Sequence, residues 1–202
     1  MFSFVKCVAI MSALGKLGDI VKKSLAPGSL VFDWGCGCGH KAAYWKQYFD
    51  ADTLGIDAVQ ANIEWARQRI PGAKFCQADG AHIEFLPSKL FDLAFSMAGV
   101  YHLEHAAQCE VLHEMCRSVR PGGLVVIVWH GRFKYQDPGR GSWKPCMDKY
   151  TARKTKLQVM DDVQVFGRHY MMQRVQADID SGKADRGDEL FTTYSIVVQM
   201  LD

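Results

Sequence analysis

The residues best suited to chemistry lie in one short stretch, where an acid precedes three alternate glycines. Asp33 ends an apolar run, and Gly35, Gly37 and Gly39 follow it. Because glycine has no Cβ atom, this spacing allows the backbone to approach a ligand closely. A helix is predicted to begin at about His40, and its first N–H groups would point at whatever the turn holds. A strand, a glycine-rich turn and a helix start are typical of a site for a nucleotide-like cofactor.

Two classes of ligand compete for this turn. The dinucleotide fingerprint G-x-G-x-x-G/A fails when it starts at Gly35, because its last position falls on His40. The same fingerprint is satisfied from Gly37, since its last position is then Ala42, so a nicotinamide dehydrogenase stays open. The frame D-x-G-x-G-x-G fits without exception and also accounts for Asp33.

In this second frame the stretch resembles the class I S-adenosylmethionine-dependent methyltransferases. The resemblance implies that the turn wraps the methionine part of S-adenosylmethionine, with the acid near its ammonium. It covers residues 29–130 well and the tail poorly. The cofactor-binding residues that it implies in this turn are Asp33, Trp34, Gly35, Cys36, Gly37 and Gly39.

Acids at the ends of the next two predicted strands extend the cofactor site. Asp57 lies about 20 residues past the glycines, where an acid can accept hydrogen bonds from ribose hydroxyls. Ala58 and Val59 would then flank the adenine. By the same resemblance Asp79, followed by Gly80, accepts a hydrogen bond from the adenine amino group. The alternative for Asp79 is a turn or helix-cap aspartate.

A further motif follows the predicted fourth strand, over residues 95–103. It resembles the small-molecule branch of the family, typified by quinone-biosynthesis methyltransferases, and adds Ser96 and Met97 to the predicted cofactor site. The turn at 120–123 also matches the family. The motif Asn/Asp-Pro-Pro-Tyr, which marks methylation of exocyclic or amide nitrogens, does not occur in the sequence.

Histidines after the fourth strand are the candidates for acid–base chemistry. His102 and His105 would lie at the carboxyl edge of the sheet, where ligands bind in open α/β folds. A histidine titrates near neutrality and could take a proton from the methyl acceptor. His102 could equally cap the next helix or pack below the cofactor. No metal is expected, because neither these histidines with Glu104 nor the Cys-x-Cys pair in the turn has further ligands at metal spacing.

Helix and strand signals alternate after residue 29, which predicts a doubly wound, Rossmann-like α/β fold with a mostly parallel sheet. The resemblance adds that the last of seven strands runs antiparallel beside the sixth. Strands are predicted at 29–34, 53–57, 74–78, 91–96, 124–129, 155–160 and 191–201, and helices at 40–49, 61–70 and 106–119.

Composition indicates one globular domain over residues 1–202. Hydrophobic residues make up 49% of the chain and the net charge is +2, so the protein is neither disordered nor grossly basic. The seven cysteines are irregularly spaced, and we expect reduced, mostly buried thiols in a cytoplasmic protein. The apolar run at 7–14 is too short to span a membrane. We expect residues 1–28 to form an amphipathic lid helix ahead of a cofactor-binding core at 29–130.

A basic insert is predicted at 131–160, ahead of a C-terminal strand region at 161–202. Residues 132–156 carry eight basic side chains against two acids, and we expect this segment to favour an anionic small-molecule acceptor. The predicted acceptor-side aromatics are Tyr101, Phe133, Tyr135 and Trp143. A solvated basic loop is the alternative. RNA or protein methylation, or a non-catalytic binding subunit of this fold, also stays open, with nucleic acid the less favoured partner.

Overall fold

A computed structural model describes residues 16–130, 157–164 and 193–200. Most of the predicted lid and nearly all of the basic insert lie outside the described residues, as do Phe133, Tyr135 and Trp143. The side chains of Tyr101 and His105 lie outside the description as well. The predictions that concern them therefore stay predictions.

Helices and strands alternate as predicted in the described part of the chain. The helices are Lys16–Ser24 (α1), His40–Phe49 (α2), Gln60–Arg69 (α3) and His105–Ser118 (α4), with a 3-10 turn at Val100–His102. The strands are Leu30–Trp34 (β1), Asp52–Asp57 (β2), Lys74–Gln77 (β3), Phe91–Met97 (β4), Val119–His130 (β5), Leu157–Gln164 (β6) and Thr193–Met200 (β7). Of the helices in these ranges, none has the length and apolarity needed to cross a membrane.

The strands form one seven-stranded sheet in the order β3-β2-β1-β4-β5-β7-β6. Strands β1 to β5 are parallel, and β7 runs antiparallel between β5 and β6. The predicted doubly wound sheet with an antiparallel last strand is confirmed. The strand order reverses between β1 and β4, and ligands bind at the carboxyl ends of strands at such a point. The glycine-rich turn follows β1 there.

Strand β1 is buried on both faces, as its continuous apolar run predicts for a central parallel strand. Val31, Phe32 and Asp33 have no exposed surface. Phe32 stacks on Phe91 with the ring centroids 5.3 Å apart. Because Asp33 is paired in register with Gly55 and Phe95 on the two flanking strands, its carboxylate is placed inside the protein rather than at its surface.

Helix α2 is held against the sheet by its buried aromatic residues. Trp45 is 1% exposed and packs edge-on against Phe95 of β4, with the ring centroids 5.3 Å apart. Ala42, in the first turn, is also buried. The residue before the helix is Gly39, whose backbone has a left-handed conformation and which offers no side-chain cap. This packing places the first turn of α2 over the carboxyl end of β1.

Strand β5 begins earlier than predicted, at Val119. The Arg-Pro-Gly-Gly sequence that predicts a turn lies inside the strand as an irregularity. Val119 pairs with Phe91, and the next partners are Leu124 and Leu93, so the register shifts between them. Gly122 has φ +80°, a conformation that L-residues with side chains rarely adopt. The irregular stretch therefore contains a position that favours glycine.

The cysteines only partly follow the expectation of reduced thiols. Cys36, Cys38, Cys76 and Cys116 are free, and burial raises the pKa of the Cys36 and Cys116 thiols. Cys109 in α4 is disulfide-bonded. The expectation is wrong at Cys109, because spacing along the sequence does not show which cysteines meet in the fold.

Candidate functional site

The glycine-rich turn and the end of β2 form a single hydrogen-bonded unit. Gly37 N–H donates to Oδ2 of Asp57 at 2.8 Å. The other carboxylate oxygen accepts from Val59 N–H at 2.9 Å and from the Asn62 side-chain amide at 3.2 Å. The two predicted motifs, far apart in sequence, are therefore in direct contact, and three donors fix the orientation of the Asp57 carboxylate.

The three glycines of the turn have different tasks. All have positive φ, at +65° for Gly35, +55° for Gly37 and +74° for Gly39, so each suits glycine on conformational grounds. A Cβ atom on Gly37 would meet no described atom within 4 Å, whereas one on Gly39 would lie 2.7 Å from the Phe75 ring. Gly37 therefore faces open space suited to a ligand, and Gly39 allows α2 to start close against β3.

Asp33 is a buried carboxylate with few partners. Among the described residues, neither of its oxygens accepts a hydrogen bond of good geometry, and the Lys41 ammonium lies 3.3 Å from Oδ1. Burial raises the pKa of Asp33 from 3.8 to about 6, against the opposing effect of Lys41 and with a small contribution from Asp57. A carboxylate in this state gains from any further cation or donor placed beside it.

Sequence reasoning missed Lys41. Its ammonium lies 3.5 Å from the Gly35 carbonyl oxygen as well as 3.3 Å from Asp33. A signal was present, because a lysine in the first turn of a helix faces the positive end of the helix dipole, where cations are disfavoured. A lysine at such a position indicates that tertiary contacts, and not the stability of the helix, account for its presence.

Trp34 connects β1 to the loops that follow β3 and β4. Its indole N–H donates to the Gly80 carbonyl at 2.8 Å, and a Cβ atom on Gly80 would overlap the indole ring. A Cβ atom on Gly99 would lie 2.9 Å from the same ring. Trp34 is 7% exposed. The indole therefore fixes both loops, and this packing explains the requirement for glycine at position 80.

Asp79 has the local contacts of a turn aspartate. Its Oδ1 accepts from Ala81 N–H at 3.0 Å, and its Oδ2 lies 2.9 Å from His82 Nδ1. These contacts lower the pKa of Asp79, with the Ala81 hydrogen bond the larger cause, and the Asp79 carboxylate raises the pKa of His82. Both oxygens are thus engaged within the loop, which is the alternative considered from the sequence. A contact with adenine stays a prediction.

The end of β4 combines a buried hydroxyl with a strained backbone. Ser96 is fully buried, and its Oγ has no hydrogen-bond partner among the described residues. Met97 is partly buried. Ala98 has φ +57° and donates its N–H to the Val128 carbonyl at 2.9 Å. A left-handed residue other than glycine is costly, and such residues cluster at functional sites.

The candidate acid–base residues, His102 and His105, come shortly after the end of β4 in the chain. His102 ends the 3-10 turn, its N–H donates to the Gly99 carbonyl at 3.1 Å, and its side chain is exposed. The two alternatives for His102, capping the next helix or packing below a cofactor, stay predictions. His105 is the first residue of α4. His102 follows β4 at the carboxyl edge of the sheet, and its role as an acid or base stays a prediction.

The described residues contain no group of three or more His, Cys, Asp or Glu side chains that could hold a metal ion. The thiols of Cys36 and Cys38 have different surroundings, since Cys36 is 3% exposed and Cys38 is partly exposed near Asn62. The absence of a metal from the whole chain stays a prediction.

Comparison with known proteins supports the resemblance to methyltransferases. Residues 31–123 match the family described as a methyltransferase domain. Trans-aconitate 2-methyltransferase from Methylobacterium nodulans is 34% identical over 109 residues, which is 54% of this chain and 41% of that protein. Probable tRNA methyltransferase 9B from Mus musculus is 34% identical over 118 residues, 55% of this chain and 25% of that protein.

A solved structure has the same fold. A putative sarcosine dimethylglycine methyltransferase from Galdieria sulphuraria superposes with a TM-score of 0.72 over 98% of this chain and 87% of that one, at 12% identity. At this identity the likeness shows the fold alone. The chain spans less than half the length of either curated relative above.

The sheet order, the acid–glycine turn and the matched family together identify residues 31–123 as a class I S-adenosylmethionine-dependent methyltransferase domain. The resemblance noted from the sequence is confirmed. The match also decides between the two ligand classes that the turn allowed, in favour of S-adenosylmethionine over a nicotinamide.

Proposed function

We propose that this protein transfers a methyl group from S-adenosylmethionine to a small-molecule acceptor, with an anionic acceptor favoured. The observation that carries the proposal is the joined unit of Gly37 and Asp57 beside the buried, under-partnered carboxylate of Asp33. The ammonium of S-adenosylmethionine suits the buried acid Asp33, and its ribose hydroxyls suit the half-buried acid Asp57. The residues present fit both ends of the cofactor.

Each end of the cofactor has identifiable partners in the chain. Asp33 would pair with the ammonium, and Asp57 would accept from ribose hydroxyls with the lone pairs that Gly37, Val59 and Asn62 leave open. Val59 is 53% exposed, and this apolar side chain beside Asp57 would cover one face of the adenine. When bound, the cofactor supplies a methyl carbon that its sulfonium has already activated.

Because the methyl group is already activated, the protein acts mainly by positioning. Holding two reactants in the reactive geometry is worth about 7–11 kcal/mol. The Trp34 contacts with the β3 and β4 loops keep the walls of the site in place. His102, exposed at the same edge, would remove or orient the acceptor's proton where the acceptor is a hydroxyl or carboxyl group.

A second candidate function is methylation of an RNA. It is favoured by one observation, the similarity to a probable tRNA methyltransferase at the same 34% identity as the small-molecule relative. The basic segment 132–156 would then contact phosphates. Another relative is named for trans-aconitate, a small anion with carboxylate groups. The basic segment could equally contact a small anion of this kind.

An assay for S-adenosylhomocysteine release separates the two functions. The full chain is incubated with S-adenosylmethionine and either a panel of small carboxylates and phosphate esters or transcribed tRNA, at low and high salt. We expect turnover with a small anion. Turnover with tRNA alone, falling steeply as salt is raised, would replace the small-molecule proposal with the second one.

A further inference from the structure

The chain carries its own ion pair where the cofactor's charged end should bind. The Lys41 ammonium lies 3.3 Å from Asp33 Oδ1 and 3.5 Å from the Gly35 carbonyl oxygen. The Asp33 side chain is fully buried, and that of Lys41 is only 12% exposed. These two oxygens form a subsite for a cation, and in the structure a lysine of the same chain fills it.

Helix stability does not explain a lysine at this position. Lys41 lies in the first turn of α2, a turn without acids, and the residue before the helix, Gly39, provides no side-chain cap. The helix dipole disfavours a cation there and favours an anion. The first turn of α2 and the Lys41 ammonium therefore both create positive potential beside the carboxylate of Asp33.

The amino-acid end of S-adenosylmethionine carries one positive and one negative group. It is complementary to the two halves of the Lys41–Asp33 pair. The ligand's ammonium can take the place of the Lys41 ammonium on Asp33, and its carboxylate can accept the lysine that is released. One ion pair within the chain is then replaced by two between chain and ligand, and neither buried charge is left alone.

We propose that Lys41 exchanges Asp33 for the carboxylate of S-adenosylmethionine, and that it thereby selects ligands whose amino-acid end is intact. The inference rests on the proposed function and extends it, because it assigns a specificity-determining residue outside the acid and glycine motifs. Lysine suits the exchange, since its charge lies at the end of a flexible four-carbon chain.

Two ligands that differ in one group make the test. S-adenosylhomocysteine has both the ammonium and the carboxylate, and its amine analogue lacks only the carboxylate. Affinities of the full chain for both are measured by titration calorimetry. The variants are Lys41→Met and the control Lys46→Met, which lies on the same helix and pairs with exposed Asp50 and Asp52 at 2.8 and 3.0 Å.

We expect Lys41→Met to bind S-adenosylhomocysteine roughly ten-fold more weakly, because a charged partner of the carboxylate is lost. The affinity of the same variant for the amine analogue should equal or exceed that of the wild type, because the Lys41 ammonium no longer competes for Asp33. The preference for the carboxylate then disappears, while Lys46→Met keeps it. If Lys41→Met does not fold, Lys41→Gln is measured in its place.

Two results would overturn the inference. One is unchanged affinity of Lys41→Met for S-adenosylhomocysteine. The other is an equal loss for both ligands, which would mean that Lys41 only supports the site through Asp33. Failure of wild type to bind either ligand would instead reject the proposed cofactor site, so the failures of the two proposals can be told apart.

Discussion

Gly37 N–H donates a hydrogen bond to Oδ2 of Asp57 at 2.8 Å. This bond joins the turn after β1 to the end of β2, which are the two segments assigned to opposite ends of one cofactor. Together with the hydrogen bonds from Val59 and Asn62, this contact fixes the orientation of the Asp57 carboxylate. Preorganisation of this kind lowers the cost of binding.

Replacement of Asp57 tests the ribose contact. Asp57→Ala should weaken binding of S-adenosylhomocysteine roughly ten- to a hundred-fold, because a hydrogen bond to a charged group is worth about 1.5–3 kcal/mol. Asp52→Ala, at the exposed start of the same strand, is the matched control. Calorimetry reports the affinities and thermal unfolding reports the fold. Equal affinities for the two variants would remove Asp57 from the site.

Gly37→Val tests whether the open space above the turn belongs to the cofactor. The substitution adds strain at φ +55° and fills that space. Gly72→Val is its control, because Gly72 also has positive φ, at +89°, and no described atom within 4 Å of an added Cβ. We expect both variants to lower the melting temperature and only Gly37→Val to abolish binding of S-adenosylhomocysteine. Normal binding by Gly37→Val would show that the glycine serves the turn alone.

The buried acid predicts an unusual dependence of stability on pH. The pKa of Asp33 is raised from 3.8 to about 6, so its contribution is fully present below pH 4 and is lost as the pH rises through 6. Relative to Asp33→Asn, the wild type should lose roughly 2–3 kcal/mol of unfolding free energy over this interval. Denaturant unfolding of both proteins from pH 4 to pH 7.5 measures the difference. A difference that does not change with pH would contradict the assignment.

His102 is tested through turnover once an acceptor is known. His102→Ala and His102→Gln should lower kcat about 10²–10⁴-fold if the imidazole acts as a base, with the affinity for S-adenosylhomocysteine unchanged. Near-normal turnover of both variants would leave an enzyme that works by proximity alone.

The sequence predicts most of the sheet because each central strand is an apolar run with a clear end. Asp33 and Asp57 end two such runs, and the sequence predicts both at the carboxyl edge of the sheet. The sequence predicts a later start for β5, because proline and glycine indicate a turn even where they lie inside a strand.

The contacts that the sequence could not predict depend on packing between distant elements. The Lys41–Asp33 pair joins α2 to β1, and Trp45 packs the same helix against Phe95 of β4. The sequence also does not show that an added Cβ on Gly39 or Gly80 would meet the rings of Phe75 and Trp34. Local patterns identify which residues can bind a ligand and do not show which of them face each other.

The most direct test of the central claim follows the methyl group itself. Full-length protein is incubated with S-adenosylmethionine labelled at the methyl carbon and with a cell extract separated into small-molecule and RNA fractions. We predict that mass spectrometry finds the label in an acidic small molecule, and that Asp57→Ala greatly reduces it. Label confined to the RNA fraction, or no transfer in either fraction by a protein that binds S-adenosylhomocysteine, would contradict the account.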